Sequence, residues 1–158
     1  MSSFRSRPHR HGDLPSALSA AARAILDESG FEAVGSSEAA RRIGLPATTA
    51  DRHFSGEDDL LASVAAEGFR ELSNLMEAAA DGPDPMIGSG LAYLEFALRK
   101  QGLFRLMFGP LLEERARYPA LHEAAAAAFD TFDRVAGSTL DRPDEPGAAA
   151  ASALSALH

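Results

Sequence analysis

With 158 residues, 46% of them hydrophobic and 24% charged, the chain can bury a core, either as one domain or as a small head on a larger body. It has no cysteine, which excludes disulfides, thiolate metal sites and cysteine nucleophiles and fits a reducing compartment. The formal net charge of -8 is unevenly spread: seven arginines against six acids leave +1 up to residue 56, and eight basic against seventeen acidic residues leave -9 beyond it.

No apolar run approaches the ~20 residues of a membrane-spanning helix. The N-terminus, with Arg5, Arg7, His9, Arg10 and His11, has no apolar leader either, so a soluble cytoplasmic protein is expected. From Leu14 the apolar positions Leu14, Leu18, Ala21, Ala22, Ile25 and Leu26 recur every three or four residues. They predict an amphipathic helix with Asp13 as N-cap, Pro15 in the first turn and Gly30 as the stop. A second helix is expected over Ser36–Ile43 and a third over Pro46–His53, with Ala39 and Ala40 permitting close contact and Gly44 making the turn between them. Ser55 followed by Asp58 reads as a capping box, and Glu57, Asp58 and Asp59 suit the positive end of a helix dipole. The fourth helix is long, with an apolar stripe of Leu60, Leu61, Val64, Phe69, Leu72, Leu75 and Met76, and it breaks at Asp81-Gly82-Pro83-Asp84-Pro85.

A fifth helix is expected over Met86–Lys100, with Leu91, Leu94 and Leu98 on one face and Gly102 at its end. A short apolar helix over Leu103–Phe108 then stops at Gly109-Pro110, and one more turn is expected within Leu111–Arg117. Tyr118-Pro119 opens a long helix whose core face is Leu121, Ala125, Ala128, Phe129, Phe132 and Val135. Residues 141–147 read as a linker, and Ala148 begins an alanine-rich helix without a stop signal, so the chain is expected to end within a helix. With no segment of strand period, the fold class is all-α.

The segment Gly30–Leu61, GFEAVGSSEAARRIGLPATTADRHFSGEDDLL, resembles the DNA-binding half of the TetR/AcrR family of transcriptional regulators, most clearly at Gly44-Leu45-Pro46, Arg52-His53-Phe54 and Asp58-Asp59-Leu60-Leu61. The lead-in Arg7–Leu14, the segment Leu103–Phe108 and the terminal Ser155–His158 are similar to one branch of that family. The resemblance implies a three-helix helix-turn-helix head, joined by a long helix to a helical ligand and dimerisation body whose last helices are incomplete here. The expected divisions are a flexible basic arm at 1–13, the head at 14–56 and the body at 57–158.

Carried over residue by residue, the resemblance places Ala47, Thr48 and Thr49 near base edges and His53 near phosphate, with Arg41, Arg42 and Arg52 as nearby cations. Arg5, Arg7 and Arg10 form an arm suited to a minor groove. Three positions depart from the pattern: Asp51 stands where the family has tyrosine, Glu57 where lysine is frequent, and Ser36 where an apolar core residue is usual. A carboxylate near phosphate weakens binding. As a structural charge, Asp51 would pair with Arg52 or Arg42.

In the body, Phe69, Met76, Met86, Tyr93, Phe96, Phe104, Met107, Phe108, Phe129 and Phe132 are candidates either for the lining of an inducer cavity, as the resemblance implies, or for plain core. His122 and His158 are candidate polar groups of the same cavity or surface residues. No catalytic, metal or cofactor motif is present; His9-Arg10-His11 lacks a third ligand. The expected partners are double-stranded operator DNA, a small-molecule inducer and a second copy, with this chain a weak dimer or monomer. The rival expectation is a shortened or degenerate relative with weak or no DNA binding, acting as a helical interaction protein.

Overall fold

The computed structural model describes residues 13–140, with side chains up to residue 137. All regular structure among these residues is helical, as the sequence pattern predicts. The chain forms two compact units, one ending at Leu61 and the other beginning at Ala62. The basic arm, the linker at 141–147 and the alanine-rich segment at 148–158 lie outside the described residues.

In the first unit, α1 (Leu14–Ser29) buries Leu14, Leu18, Ala21, Ala22, Ile25 and Leu26, the face expected from their spacing. Asp13 occupies the N-cap but its carboxylate caps nothing; only its carbonyl is used, accepting the Ala17 N–H at 2.9 Å. Gly30 ends the helix with φ 84°, a conformation costly for any residue with a Cβ. After a 3-10 turn at Phe31–Ala33 comes α2 (Ser36–Arg42), which buries Ala39 and Ala40 completely. Gly44, at φ 75°, turns the chain, and the Leu45 N–H closes the turn onto the Ala40 carbonyl at 2.9 Å.

The next helix, α3 (Ala47–Asp51), is shorter than Pro46–His53. Pro46 is its extended N-cap, with ψ 147°, and the chain leaves through tight turns in which the His53 and Phe54 N–H groups both donate to the Ala50 carbonyl. The capping contact before α4 (Glu57–Ala80) also differs from expectation: the Ser55 N–H donates to Asp59 Oδ2 at 2.9 Å, so the acid four residues on, not Asp58, reaches back.

In the second unit, α4 buries Val64, Phe69, Leu72 and Met76, whereas Leu75, expected in the same stripe, is exposed. Asp84 caps α5 (Pro85–Arg99) by accepting the Ile87 N–H at 3.1 Å. The face that carries Leu91, Leu94 and Leu98 turns outward, and the face with the cavity-or-core candidates turns inward. The buried positions are Met86, Ser89, Tyr93 and Phe96, while Ile87, Leu91, Leu94 and Leu98 are 51%, 61%, 51% and 70% exposed. Two contacts set this rotation. Ser89 Oγ donates to the Met76 carbonyl at 2.8 Å, and Gly88 lies so close to Ala79 that a Cβ would run into its carbonyl oxygen.

The break after α5 falls at Lys100 (φ -124°, ψ 51°), not at Gly102, which lies inside α6 (Gln101–Met107). There the Lys100 ammonium pairs with Glu71 of α4 and sits 5.7 Å from the centre of the Phe96 ring. In place of one further turn there are two, α7 (Pro110–Glu113) and a 3-10 turn at Arg115–Arg117. The long α8 (Pro119–Leu140) buries Leu121, Ala125, Ala128 and Val135 as expected, with Phe129 and Phe132 half-buried.

Candidate functional site

Helix α3 presents Ala47 and Thr48 to solvent and leaves Thr49 half-buried, while Ala50 on its opposite side is fully buried. A single methyl therefore fixes the face that is shown. Asp51, Arg52 and His53 follow, all exposed, and Phe54 returns the chain to the core. Ala47, Thr48, Arg52 and His53 are thus brought together on one accessible end, with the Asp51 carboxylate among them.

Arg41 and Arg42 behave differently from free cations. Arg41 forks onto Glu38, with Nη2 2.6 Å from Oε1 and Nε 2.9 Å from Oε2. Arg42, one of the two partners expected for Asp51 beside Arg52, instead reaches Glu28 on α1 at 2.6 Å and Glu38 at 3.8 Å. The hydrogen bond from Arg42 lowers the Glu28 pKa, and that from Arg41 lowers the Glu38 pKa; both guanidinium pKa values are raised in return. The glutamates compete with any phosphate for these arginines. Glu38 could have been read from its spacing of three and four residues to Arg41 and Arg42. Glu28 sits on another helix and has no such local signal. Arg5, Arg7 and Arg10 lie outside the described residues.

In the body the aromatic side chains gather. Phe69 meets Phe108 edge-on at 5.3 Å and Phe129 at 6.0 Å, and Tyr93 meets Phe132 at 5.5 Å and Phe104 at 5.7 Å. Burial raises the Tyr93 pKa, keeping the phenol neutral. Between these rings is a cavity of about 10 Å³, lined by Phe69, Leu72, Met76, Tyr93, Phe108, Ala128, Phe129 and Phe132. That is about the space of one water molecule, far below the ~300 Å³ of a small-molecule site. In this conformation the candidates form packed core. Phe96 lies beneath Lys100, Met107 packs against Gly68, Phe104 meets Phe108 at 4.6 Å with the rings tilted by 39°, and Met86 shares a small cluster with Val135. His122 is exposed, and His158 lies outside the described residues.

Sequence reasoning missed two features of the body. Thr131 of α8 is buried with its hydroxyl 3.0 Å from Ser73 Oγ and 3.1 Å from Glu77 Oε1 on α4. Beside it, an open groove of about 610 Å³ runs past Asn74, Glu77, Asp81, Pro85, Arg134 and Val135, with Arg134 paired to Glu77 at 3.0 Å. Among the described residues no cluster of acids or histidines could hold a metal ion, and no helix is long and apolar enough to cross a membrane.

Residues 86–158 match the family model described as "Tetracyclin repressor-like, C-terminal domain". The chain is also similar to a solved structure titled "Structure of a protein with unknown function from Rhodococcus sp. RHA1", with a TM-score of 0.74 and 27% identity, over 96% of this chain and 80% of that one. No curated protein matches. In the chain, the segment similar to a tetracyclin repressor-like C-terminal domain follows a glycine-turned pair of short helices.

Proposed function

We propose that the chain is a one-component transcriptional repressor, without enzymatic activity, whose head binds operator DNA and whose body takes a small apolar ligand. The observation that carries this reading is the α2–Gly44–α3 arrangement, which anchors Ala50 and leaves Ala47, Thr48, Arg52 and His53 accessible to a groove. Domain roles follow: an arm at 1–13, a reading head at 14–56 and a ligand and dimerisation body at 57–158. The aromatic cluster is the place where a ligand would enter by separating the rings. It controls DNA binding only by favouring one conformation over another.

Selection on random duplex pools tests this reading. At ~50 mM salt, where phosphate contacts are strongest, it predicts enrichment of a palindromic site; a pool that stays random would sink it.

A second reading, a relative with weak DNA binding that acts as a helical interaction protein, is favoured by the Glu28 and Glu38 pairs on Arg42 and Arg41 and by the exposed Asp51 and Glu57. Asp51→Tyr separates the two. The repressor reading predicts tighter binding to all sequences, and the second predicts no selected site in either protein.

A further inference from the structure

Ile87, Leu91, Leu94 and Leu98 run along α5 at spacings of four, three and four residues, and all are at least half exposed. That is the spacing of a coiled-coil seam, in which one helix face packs into another. We propose that this seam is a contact between two copies of the chain, with their α5 helices antiparallel.

The helix cannot rotate to hide these side chains. Ser89 Oγ donates to the Met76 carbonyl at 2.8 Å, Gly88 abuts Ala79, and Tyr93 meets Phe132 edge-on at 5.5 Å. The packing of the unit itself therefore holds the leucines outward, where they are available to a partner and not to the core.

The order of the spacings argues for a second copy as that partner. Four, three, four reads the same from either end. A copy laid antiparallel sets Leu91 against Leu94 and Ile87 against Leu98, about a twofold axis level with Ala92 and Tyr93. One patch thus supplies both halves of the contact, as an isologous interface requires.

Charge and area agree with this occupant. A net charge of -8 opposes self-association over most of the surface. On α5, however, the only charged residues are Glu95 and Arg99, paired to each other at 2.8 Å, so two such faces meet without net repulsion. The four side chains make an apolar patch of roughly 400 Å², the size at which a patch on a monomer often marks an interaction site. Gly90 and Ala97 beside it are small enough to permit close approach. Two patches with their rims bury about 1,000 Å² in all, at the low end of specific interfaces, so the dimer is weak and reversible.

This face gives the dimerisation proposed for the body its surface and rests on that part of the reading alone. Sedimentation equilibrium of the full 158-residue chain without DNA, from micromolar to millimolar protein, is expected to show a monomer–dimer equilibrium. Leu91→Glu/Leu94→Glu, at positions exposed in the single chain, should weaken it at least about tenfold with helical circular dichroism unchanged. A wild type that stays monomeric throughout, or a dimer unaffected in the folded variant, overturns the inference.

Oxidative cross-linking reads the register, and the natural lack of cysteine keeps it clean. Ile87→Cys/Leu98→Cys cannot close within one chain, because the two positions are ~16 Å apart along the helix. It should form a disulfide-linked dimer, and each single variant several-fold less. A single variant that links as readily as the double overturns the antiparallel pairing. An operator selection that stays random while this dimer forms sinks the repressor reading and leaves the interface standing.

Discussion

Arg42 of α2 and Glu28 of α1 are joined by a 2.6 Å ion pair, and Glu38 lies 3.8 Å from the same guanidinium. The two arginines of α2, Arg41 and Arg42, are thus held by the protein's own carboxylates, and DNA would have to displace those carboxylates to recruit them.

Glu38→Gln releases Arg41 and removes a negative charge from the surface that would face phosphate. Operator affinity is expected to rise at low salt, and the slope of log affinity against log salt should steepen by about 0.9 if one phosphate contact is gained. Titrating the measured site at several salt concentrations checks both; an unchanged slope would mean that Arg41 does not reach the backbone.

Acid should weaken the head through the same pairs. Because Arg42 lowers the folded-state pKa of Glu28 and Arg41 that of Glu38, their stabilisation is present above the ordinary value of 4.5 and is lost as pH falls through the lowered folded values. Both pairs are exposed, so the effect is small. Urea denaturation of wild type and Glu28→Gln/Glu38→Gln should differ near neutral pH and converge once the pH has fallen below the lowered folded values.

Gly88→Ala is expected to destabilise the body, although alanine is the better helix former by about 1 kcal/mol. The added Cβ would strike the Ala79 carbonyl oxygen, which is backbone and cannot rotate away, so α4 and α5 must separate. Overpacking of this kind costs about 1–3 kcal/mol. A lower urea midpoint checks it, and Gly56→Ala, where a Cβ meets nothing within 4 Å, is the control.

Ser73 and Thr131 share a buried hydrogen bond of 3.0 Å. Thr131→Val strands the Ser73 hydroxyl and also removes the contact to Glu77, at a cost of about 1–3 kcal/mol. Adding Ser73→Ala should recover part of that loss. A double-mutant cycle measured by urea unfolding would show coupling, whereas strict additivity would contradict the bond.

The head was largely legible because its signals are local. Gly30 and Gly44 mark the two positive-φ turns, Ala39 and Ala40 the closest packing, and the Leu18 to Leu26 period the buried face of α1. Helix α5 shows where local pattern fails. Both of its faces carry large apolar residues, and Tyr93, Ser89 and the missing Cβ of Gly88 choose the inward face by ring packing, a hydrogen bond and steric fit with α4. Those are long-range contacts with no counterpart in neighbouring sequence. Site residues follow the same division: the exposure of Thr48 and His53 follows from a short helix anchored at Ala50, whereas the Glu28–Arg42 pair depends on how α1 and α2 meet.

The five residues of α3 make little more than one turn, far below the length at which a helix persists alone in water. Its order is inherited from Ala50 and from the turns on either side, not from its own hydrogen bonds. Such a segment opens at a lower free energy than the long helices of the body. On warming, the face proposed to read DNA is therefore expected to be lost while most of the helical signal persists, which would give the proposed binding a temperature ceiling of its own.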